Sequence, residues 1–301
     1  MGNRMFHPKY CLTILLFLPL LGAAWPFAQP TAGNSDGVPL RVLSYNIHHG
    51  AGNDRCENTA EDRGGADCGL DLARISMLVR KHRVDVIAFQ EVDRFWKRSG
   101  GVDQEAELSQ LLGMESCYGA NLELPSEVPG QKSRQYGTLI LSRFPIVECK
   151  NTHLPQAAAD SEQRGLLVAE VLVRGRNVRI ANTHLHVRHE DRVLQTPKIV
   201  EILASDTVIP TVLMGDMNAK PEEQSMGPLL SMWKDAWELA GKGKGYTSPA
   251  NPTRPARNRI DYILVSDGIA VESVEVDASA EARMASDHYP VSAVLRIPGA
   301  L

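Results

Sequence analysis

The sequence predicts an α/β fold. Two observations carry that reading. From Leu40 onward, apolar strand-like runs alternate with stretches whose apolar residues recur at helical spacing, and polar residues capable of chemistry recur at the ends of the apolar runs. "LRVLSYNI" (40–47) alternates as a strand, and "DLARISMLVRKH" (71–82) sets Leu72, Ile75, Leu78 and Val79 on one helical face. "VDVIAFQEV" (84–92) reads as a buried strand. Further strands are expected at "GTLILSRF", "LLVAEVLV", "NVRIANTHL", "PTVLMGDMN", "RIDYILVS" and "YPVSAVLRI", with helices over 103–113, 191–206 and 225–240. The segment "AGNDRCENTAEDRGGADCG" (51–69) is polar and glycine-rich and reads as a loop. No internal repeat is present.

The first residues have the form of an export signal. Arg4 and Lys9 precede an apolar run beginning at Cys11, and small residues follow at Gly22 and Ala24, so cleavage is expected after Ala24 or Ala28. A membrane anchor is the alternative, but a span needs about twenty apolar residues and Pro19 and Pro26 interrupt this one. The expected organisation is a signal at 1–28, a Pro/Gly/Ser linker at 29–39 and a single domain at 40–301, in a secreted or periplasmic protein. Without Arg4 and Lys9, the remaining 30 basic and 36 acidic residues give a formal charge of −6. That balance disfavours broad, charge-driven gripping of a nucleic-acid backbone, although it leaves room for a local basic groove. Four cysteines remain after the signal: Cys56, Cys68, Cys117 and Cys149. Their even number in an exported chain suggests two disulfides, and no C-x-x-C spacing favours a metal. Of three possible pairings, Cys56–Cys68 would staple the polar loop and Cys117–Cys149 would join two neighbouring strands.

Burying a carboxylate or amide is costly unless it is paired or ligated, so polar residues at the ends of apolar strands need a reason. Asn46 follows "VLSY", and Gln90 and Glu91 follow "VIAF". His184 follows "IANT", Asp216 and Asn218 follow "VLMG", Asp261 sits in "RIDYI", and Asp287 and His288 precede "YPV". Each has a plainer explanation taken singly: a turn former at Asn46, the wet end of a strand at Glu91, an Asx turn at Asp216–Asn218, a surface capping pair at Asp287–His288. Those explanations would all have to hold together. One further pattern, "HLHVRH" (184–189), has the H-x-H-x-x-H spacing of some two-zinc hydrolases. There, however, an Asp usually precedes the third His, and here that position is Arg188, so His186 and His189 are expected to be loop or surface residues.

In order, "SYNIHHG", "IAFQEVD", "YGTLILSRFPI", "EQRGLL", "NTHL", "LMGDMNAKP", "RIDYILVS" and "SDHYPV" resemble the motif series of the endonuclease/exonuclease/phosphatase superfamily, the deoxyribonuclease-I-like fold. The resemblance runs from about Leu40 to Leu295 and departs at 51–69, where short relatives use fewer residues. It implies a four-layer α/β sandwich of two packed mixed β-sheets flanked by helices, and Mg²⁺-dependent phosphoester hydrolysis, with Mn²⁺ as a substitute. Asn46, Glu91 and Asp287 would then supply hard oxygen ligands. Asp261 would orient His288 as general base, while Asp216, Asn218, His184 and Tyr136 would act on the phosphate. Asp216 would either protonate the leaving group or orient the nucleophile, and Arg164 in "EQRG" would be a phosphate or supporting contact. A nuclease-type phosphodiesterase is the leading expectation. The alternatives are a phospholipid phosphodiesterase of sphingomyelinase or phosphoinositide type, a small-ester phosphatase, or a catalytically silent binding protein. A monomer with no obligate protein partner is expected.

Overall fold

The computed structural model describes residues 1–2, 37–53, 70–126, 130, 132–205 and 207–299, and the described residues from 37 onward belong to one compact unit. The expected signal segment and the Cys56–Cys68 pair fall outside the described residues. In chain order the elements are β1 (Val38–Asn46), α1 (Leu72–Lys81), β2 (Val86–Arg94), α2 (Gln104–Leu112), β3 (Glu115–Leu124), β4 (Arg134–Ser142), β5 (Ile146–His153), β6 (Gly165–Val173), β7 (Arg176–His184), α3 (His189–Leu203), β8 (Thr211–Asp216), α4 (Gly227–Met232), β9 (Lys234–Asp235), α5 (Ala236–Ala240), β10 (Asp261–Val265), β11 (Ala270–Val276), α6 (Ala280–Ala285) and β12 (Val291–Ile297).

The strands form two six-stranded sheets among the described residues, ordered β11-β12-β1-β2-β4-β3 and β5-β6-β7-β8-β10-β9. Both are mixed, because β1–β2 and β7–β8 are parallel while the other ladders are antiparallel. The near-continuous apolar runs of the central strands follow from burial on both faces. Leu40, Val42, Val86 and Ala88 meet Leu167, Ile180, Val212 and Met214 between the sheets. On the outer face of the first sheet, Leu43, Tyr45, Ile87 and Phe89 pack with Ile75 and Leu78 of α1 and Leu108 of α2. On the outer face of the second, Leu166, Ala181 and Leu213 pack with Ile199 and Leu203 of α3 and Leu229 of α4. The four-layer sandwich is therefore the observed architecture.

Four strands escape the sequence reading, β9 among them because it lies in a stretch expected to be helical. β3, β5 and β11 lie at or beside sheet edges with one face largely exposed, so their apolar signal is diluted. The helix expected over 225–240 is instead a 3-10 turn (Gln224–Met226), α4, β9 and α5. Trp233 takes extended geometry, Lys234 and Asp235 pair with β10, and the Asp235 side chain accepts from the Trp237 N–H at 2.9 Å to start a new helix.

Cys117 and Cys149 are bonded. The strands they join are β3 and β5, the edges of different sheets, so the bridge is a strap across the sandwich and not a link within one sheet. Its two ends are 32 residues apart. Restricting the unfolded chain over a loop of that size is worth about 3–4 kcal/mol. Replacing both cysteines with serine is expected to lower urea-unfolding stability by roughly that amount and to leave the ends of β8 and β10 in place. An unchanged unfolding midpoint would remove the strap from the account of stability.

Candidate active site

The C-terminal ends of the central strands converge on one polar cluster. Asn46 closes β1, and its Nδ2 donates to Glu91 Oε1 at 3.0 Å and to Asp216 Oδ2 at 3.1 Å, while its Oδ1 accepts from the His48 N–H at 3.0 Å. This one buried amide thus ties the first sheet to the second. Glu91 reaches it because of a bulge in β2. The β2–β4 register shifts between Gln90 and Val92, and Glu91 sits at φ 59°, a region unusual for a non-glycine residue. The bulge lets consecutive residues serve different places: Glu91 turns to Asn46, and Gln90 points between the sheets. There its Nε2 donates to Asn182 Oδ1 at 2.8 Å, and Asn182 Nδ2 donates to the Phe89 and Leu139 carbonyls at 2.8 and 3.0 Å.

From the second sheet come His184 at the end of β7, Asp216 at the end of β8 and Asp261 at the start of β10. Gly215 allows this closeness, because a Cβ there would run into the Thr183 carbonyl of β7, and its φ is 149°. Asn218 then folds back. Its N–H donates to Asp216 Oδ1 at 2.9 Å, its Nδ2 donates to the Leu185 carbonyl at 2.9 Å, and it lies 3.0 Å from His184 Nε2. His288 enters from the segment before β12. Its Nδ1 lies 2.9 Å from Asp261 Oδ2, and its Nε2 faces Asp216 Oδ2 at 3.7 Å. With Nδ1–H given to Asp261, Nε2 is the nitrogen left to face a reactant.

Burial and neighbouring charge set the protonation of this cluster. Asp216 is pushed up to about 7 by burial and by the Asp261 carboxylate. For His288, burial opposes charge, but Asp261 and Asp216 outweigh it and hold the imidazole well above its ordinary value. His184 is held well below its ordinary value by burial and by the Arg164 charge, so it is a neutral imidazole at pH 7. Burial works against ionising Glu91, yet the neighbouring His49, the His48 imidazole and the Asn46 amide keep its carboxyl well below the usual range. Tyr136 on β4 is raised well above its ordinary value by burial and by Glu91, and it remains a neutral phenol.

Arg164, just before β6, is buried, and Glu162 Oε1 holds one guanidinium nitrogen at 2.8 Å. Its Nε and Nη1 have no hydrogen-bond partner among the described residues, nor has the buried Nδ1 of His184. Buried donors without partners are costly, and an oxyanion would satisfy them. The ionised Glu91 is a hard oxygen donor of the kind Mg²⁺ or Mn²⁺ takes, and the Asn46 amide beside it, whose Nδ2 is turned to Glu91, would offer its oxygen once turned over, so the residues present fit a divalent cation. Carboxylate and imidazole groups also cluster as His48–His49–Glu91 and as Asp216–Asp261–His288.

Asp287 lies beside Asn46 through Ser286, whose hydroxyl donates to the Asn46 carbonyl at 2.8 Å and lies 3.4 Å from Asp287 Oδ1. Ser286, His49 and Asn182 were not singled out in the sequence, where each looks like an ordinary loop or strand polar residue. His186 is a loop residue but a buried one. Its Nδ1 lies 2.9 Å from the Arg188 backbone nitrogen and 3.3 Å from Asp191, and its Nε2 lies 3.3 Å from the Glu162 backbone nitrogen, so both ring nitrogens already have protein neighbours.

A sequence model of the Endonuclease/Exonuclease/phosphatase family matches residues 43–288. The chain belongs to the endonuclease/exonuclease/phosphatase family. Members of this family are phosphoesterases, and all the strand ends just described lie within the matched span. A curated relative from Drosophila melanogaster, whose name proposes a neutral sphingomyelinase, is 27% identical over 251 residues, covering 71% of this chain and 53% of the relative. The chain therefore spans about half the length of that relative. Among solved structures, an endonuclease/exonuclease/phosphatase from Beutenbergia cavernae DSM 12333 superposes with a TM-score of 0.68 at 24% identity, covering 87% of this chain and 72% of that one. A mannosyl-6-phosphatase of Bacteroides thetaiotaomicron VPI-5482 gives 0.66 at 22% identity, covering 85% of this chain and 99% of that one. At such identities these neighbours establish the shared fold of the family.

Proposed function

We propose that this family member is an exported, Mg²⁺-dependent hydrolase of phosphodiester bonds, with Mn²⁺ as a substitute ion and the catalytic domain at 40–301. The observation that carries the reading is the arrangement around Asp216. His288, oriented by Asp261, faces it from one side, and the Asn46–Glu91 pair meets it from the other. In the hydrolysis the reactive form of the pair has the proton on Asp216 and His288 neutral: water attacks phosphorus and gives its proton to His288 Nε2, while the bond from phosphorus to the leaving oxygen breaks and Asp216 supplies that oxygen with a proton. A carboxyl raised to about 7 carries that proton near neutral pH, which favours the acid role for Asp216 over orientation of the nucleophile. Arg164 Nε and Nη1, His184 Nδ1–H and the Tyr136 phenol are the donors for the non-bridging oxygens, and Asn218 acts on the phosphate through His184, whose Nε2 its amide faces. A divalent cation held by Asn46 and Glu91, with Asp287 nearby, would neutralise charge developing on the phosphate. Export rests on the Arg4/Lys9-led apolar segment.

Nucleic acid is the first substrate class to test. A phospholipid head group is the second, favoured by the curated relative named for sphingomyelin. Plasmid DNA, RNA, sphingomyelin and phosphoinositides, each assayed with and without chelator, separate the two classes. Chelator-insensitive turnover, or none on any substrate including bis(p-nitrophenyl) phosphate, would count against the proposal. For Glu91→Gln, the Mg²⁺ concentration giving half-maximal rate is expected to rise by at least about tenfold, since even outer partners of metal ligands cost 10–100-fold. An unchanged Mg²⁺ titration would remove Glu91 from the ligand set.

A further inference from the structure

Beside the candidate site lies a cleft of about 430 Å³ that the chemistry above does not use. The loops that line it leave directly from the site-bearing strands. Lys220 is two residues past Asn218 and Arg259 two residues before Asp261, so each is at most about 7 Å of chain from a site residue. The two loops are tied together, because the Tyr262 hydroxyl donates to the Ala219 carbonyl at 2.8 Å and lies 3.1 Å from the Arg259 carbonyl. The third wall is the "GKGKG" stretch, 241–245. It wraps Trp237 so closely that a Cβ at Gly241 or Gly245 would strike the indole, and this backbone carries Lys244 into the lining.

The charges of this lining do not cancel. Arg259 is consumed internally, at 2.5 Å from Asp235 and 3.0 Å from Glu238. Lys220, Lys244 and Arg257 are exposed and have no side-chain partner among the described residues, and they outnumber the remaining carboxylate, Glu222. Tyr246 adds a half-exposed ring. Three unpaired cations in a concave surface attract an anion even though the chain as a whole is acidic. The volume lies in the range of small-molecule sites.

We propose that this cleft is a second anion subsite, which selects phosphate esters carrying another phosphate beyond the bond that is cleaved. The inference rests on the phosphoesterase reading for its purpose, but its test does not require turnover. Chelator-treated full-length protein is titrated calorimetrically with adenosine 3′,5′-bisphosphate against adenosine 5′-monophosphate, and with fructose 1,6-bisphosphate against fructose 6-phosphate. Each bisphosphate is expected to bind at least about tenfold more tightly than its monophosphate, the scale of one added charge-assisted contact. The combined Lys220→Gln, Lys244→Gln, Arg257→Gln variant changes exposed side chains only. It is expected to lose that ratio while its circular dichroism and its turnover of bis(p-nitrophenyl) phosphate stay the same. A preference confined to the adenosine pair would assign the subsite to nucleotides, and one in both pairs to the phosphate alone. Equal binding of mono- and bisphosphates, or a ratio that survives in the variant, would overturn the subsite. Absent bis(p-nitrophenyl) phosphate turnover by the unmodified protein would instead sink the phosphodiesterase reading and leave the binding ratio to be judged separately.

Discussion

His288→Ala is expected to lower kcat by about 10²–10⁴, the usual contribution of a positioned general base, with KM little changed. The expectation comes from geometry. His288 has one nitrogen committed to Asp261 at 2.9 Å and the other facing Asp216 across a 3.7 Å gap, so the second is the nitrogen available to water. The imidazole is buried, and its removal leaves Asp261 and Asp216 without the group that lies between them. Steady-state turnover of bis(p-nitrophenyl) phosphate, read beside thermal unfolding, separates lost chemistry from lost fold. Near-normal turnover in a folded variant would remove His288 from the base role.

Asp261→Asn is expected to have the next largest effect, a fall in kcat of at least about 10² from loss of the tautomer and of the orienting charge. It also carries a pH signature whose sign is fixed. His288 is raised above its ordinary value chiefly by Asp261 and Asp216, so removing one of those charges must lower it. The ion pair therefore stabilises the fold fully below the unfolded-state value of a histidine, and that contribution fades as pH rises through the raised folded value. In metal-free protein, an NMR titration of His288 is expected to move to lower pH in Asp261→Asn. The acid limb of the residual rate should move the same way. The Asp216 carboxyl should fall as well, because Asp261 is the main charge raising it. A His288 titration unmoved or moved upward would contradict the pairing as the source of the shift.

The sandwich and most of the cluster were legible because the central strands are buried on both faces. In such strands nearly every residue is apolar, so Asn46, Gln90, Glu91, His184, Asp216 and Asp261 stand out. The edge strands offered no such contrast. β5, for instance, has most of its residues exposed or half-exposed, and its side chains carry little pattern. The broken helix at 225–240 turned on local competition, with extended geometry at Trp233 and a new cap at Asp235 overriding an acceptable helical composition. Ser286 and His49 act through contacts made only after folding, at sequence distances that no spacing rule reaches.

The seam between the two sheets has a further consequence. Asn46, Glu91, Tyr136 and His288 are delivered by the first sheet or its connections, and His184, Asp216 and Asp261 by the second. Neither plate owns a working half. The hydrophobic filling between them therefore acts as a shim whose thickness sets the gap between His288 and Asp216, on which the proposed chemistry depends. Methylenes removed at Val212 or Met214, well away from any reacting atom, would detune that gap while both plates remained intact, so turnover here doubles as a gauge of interior packing.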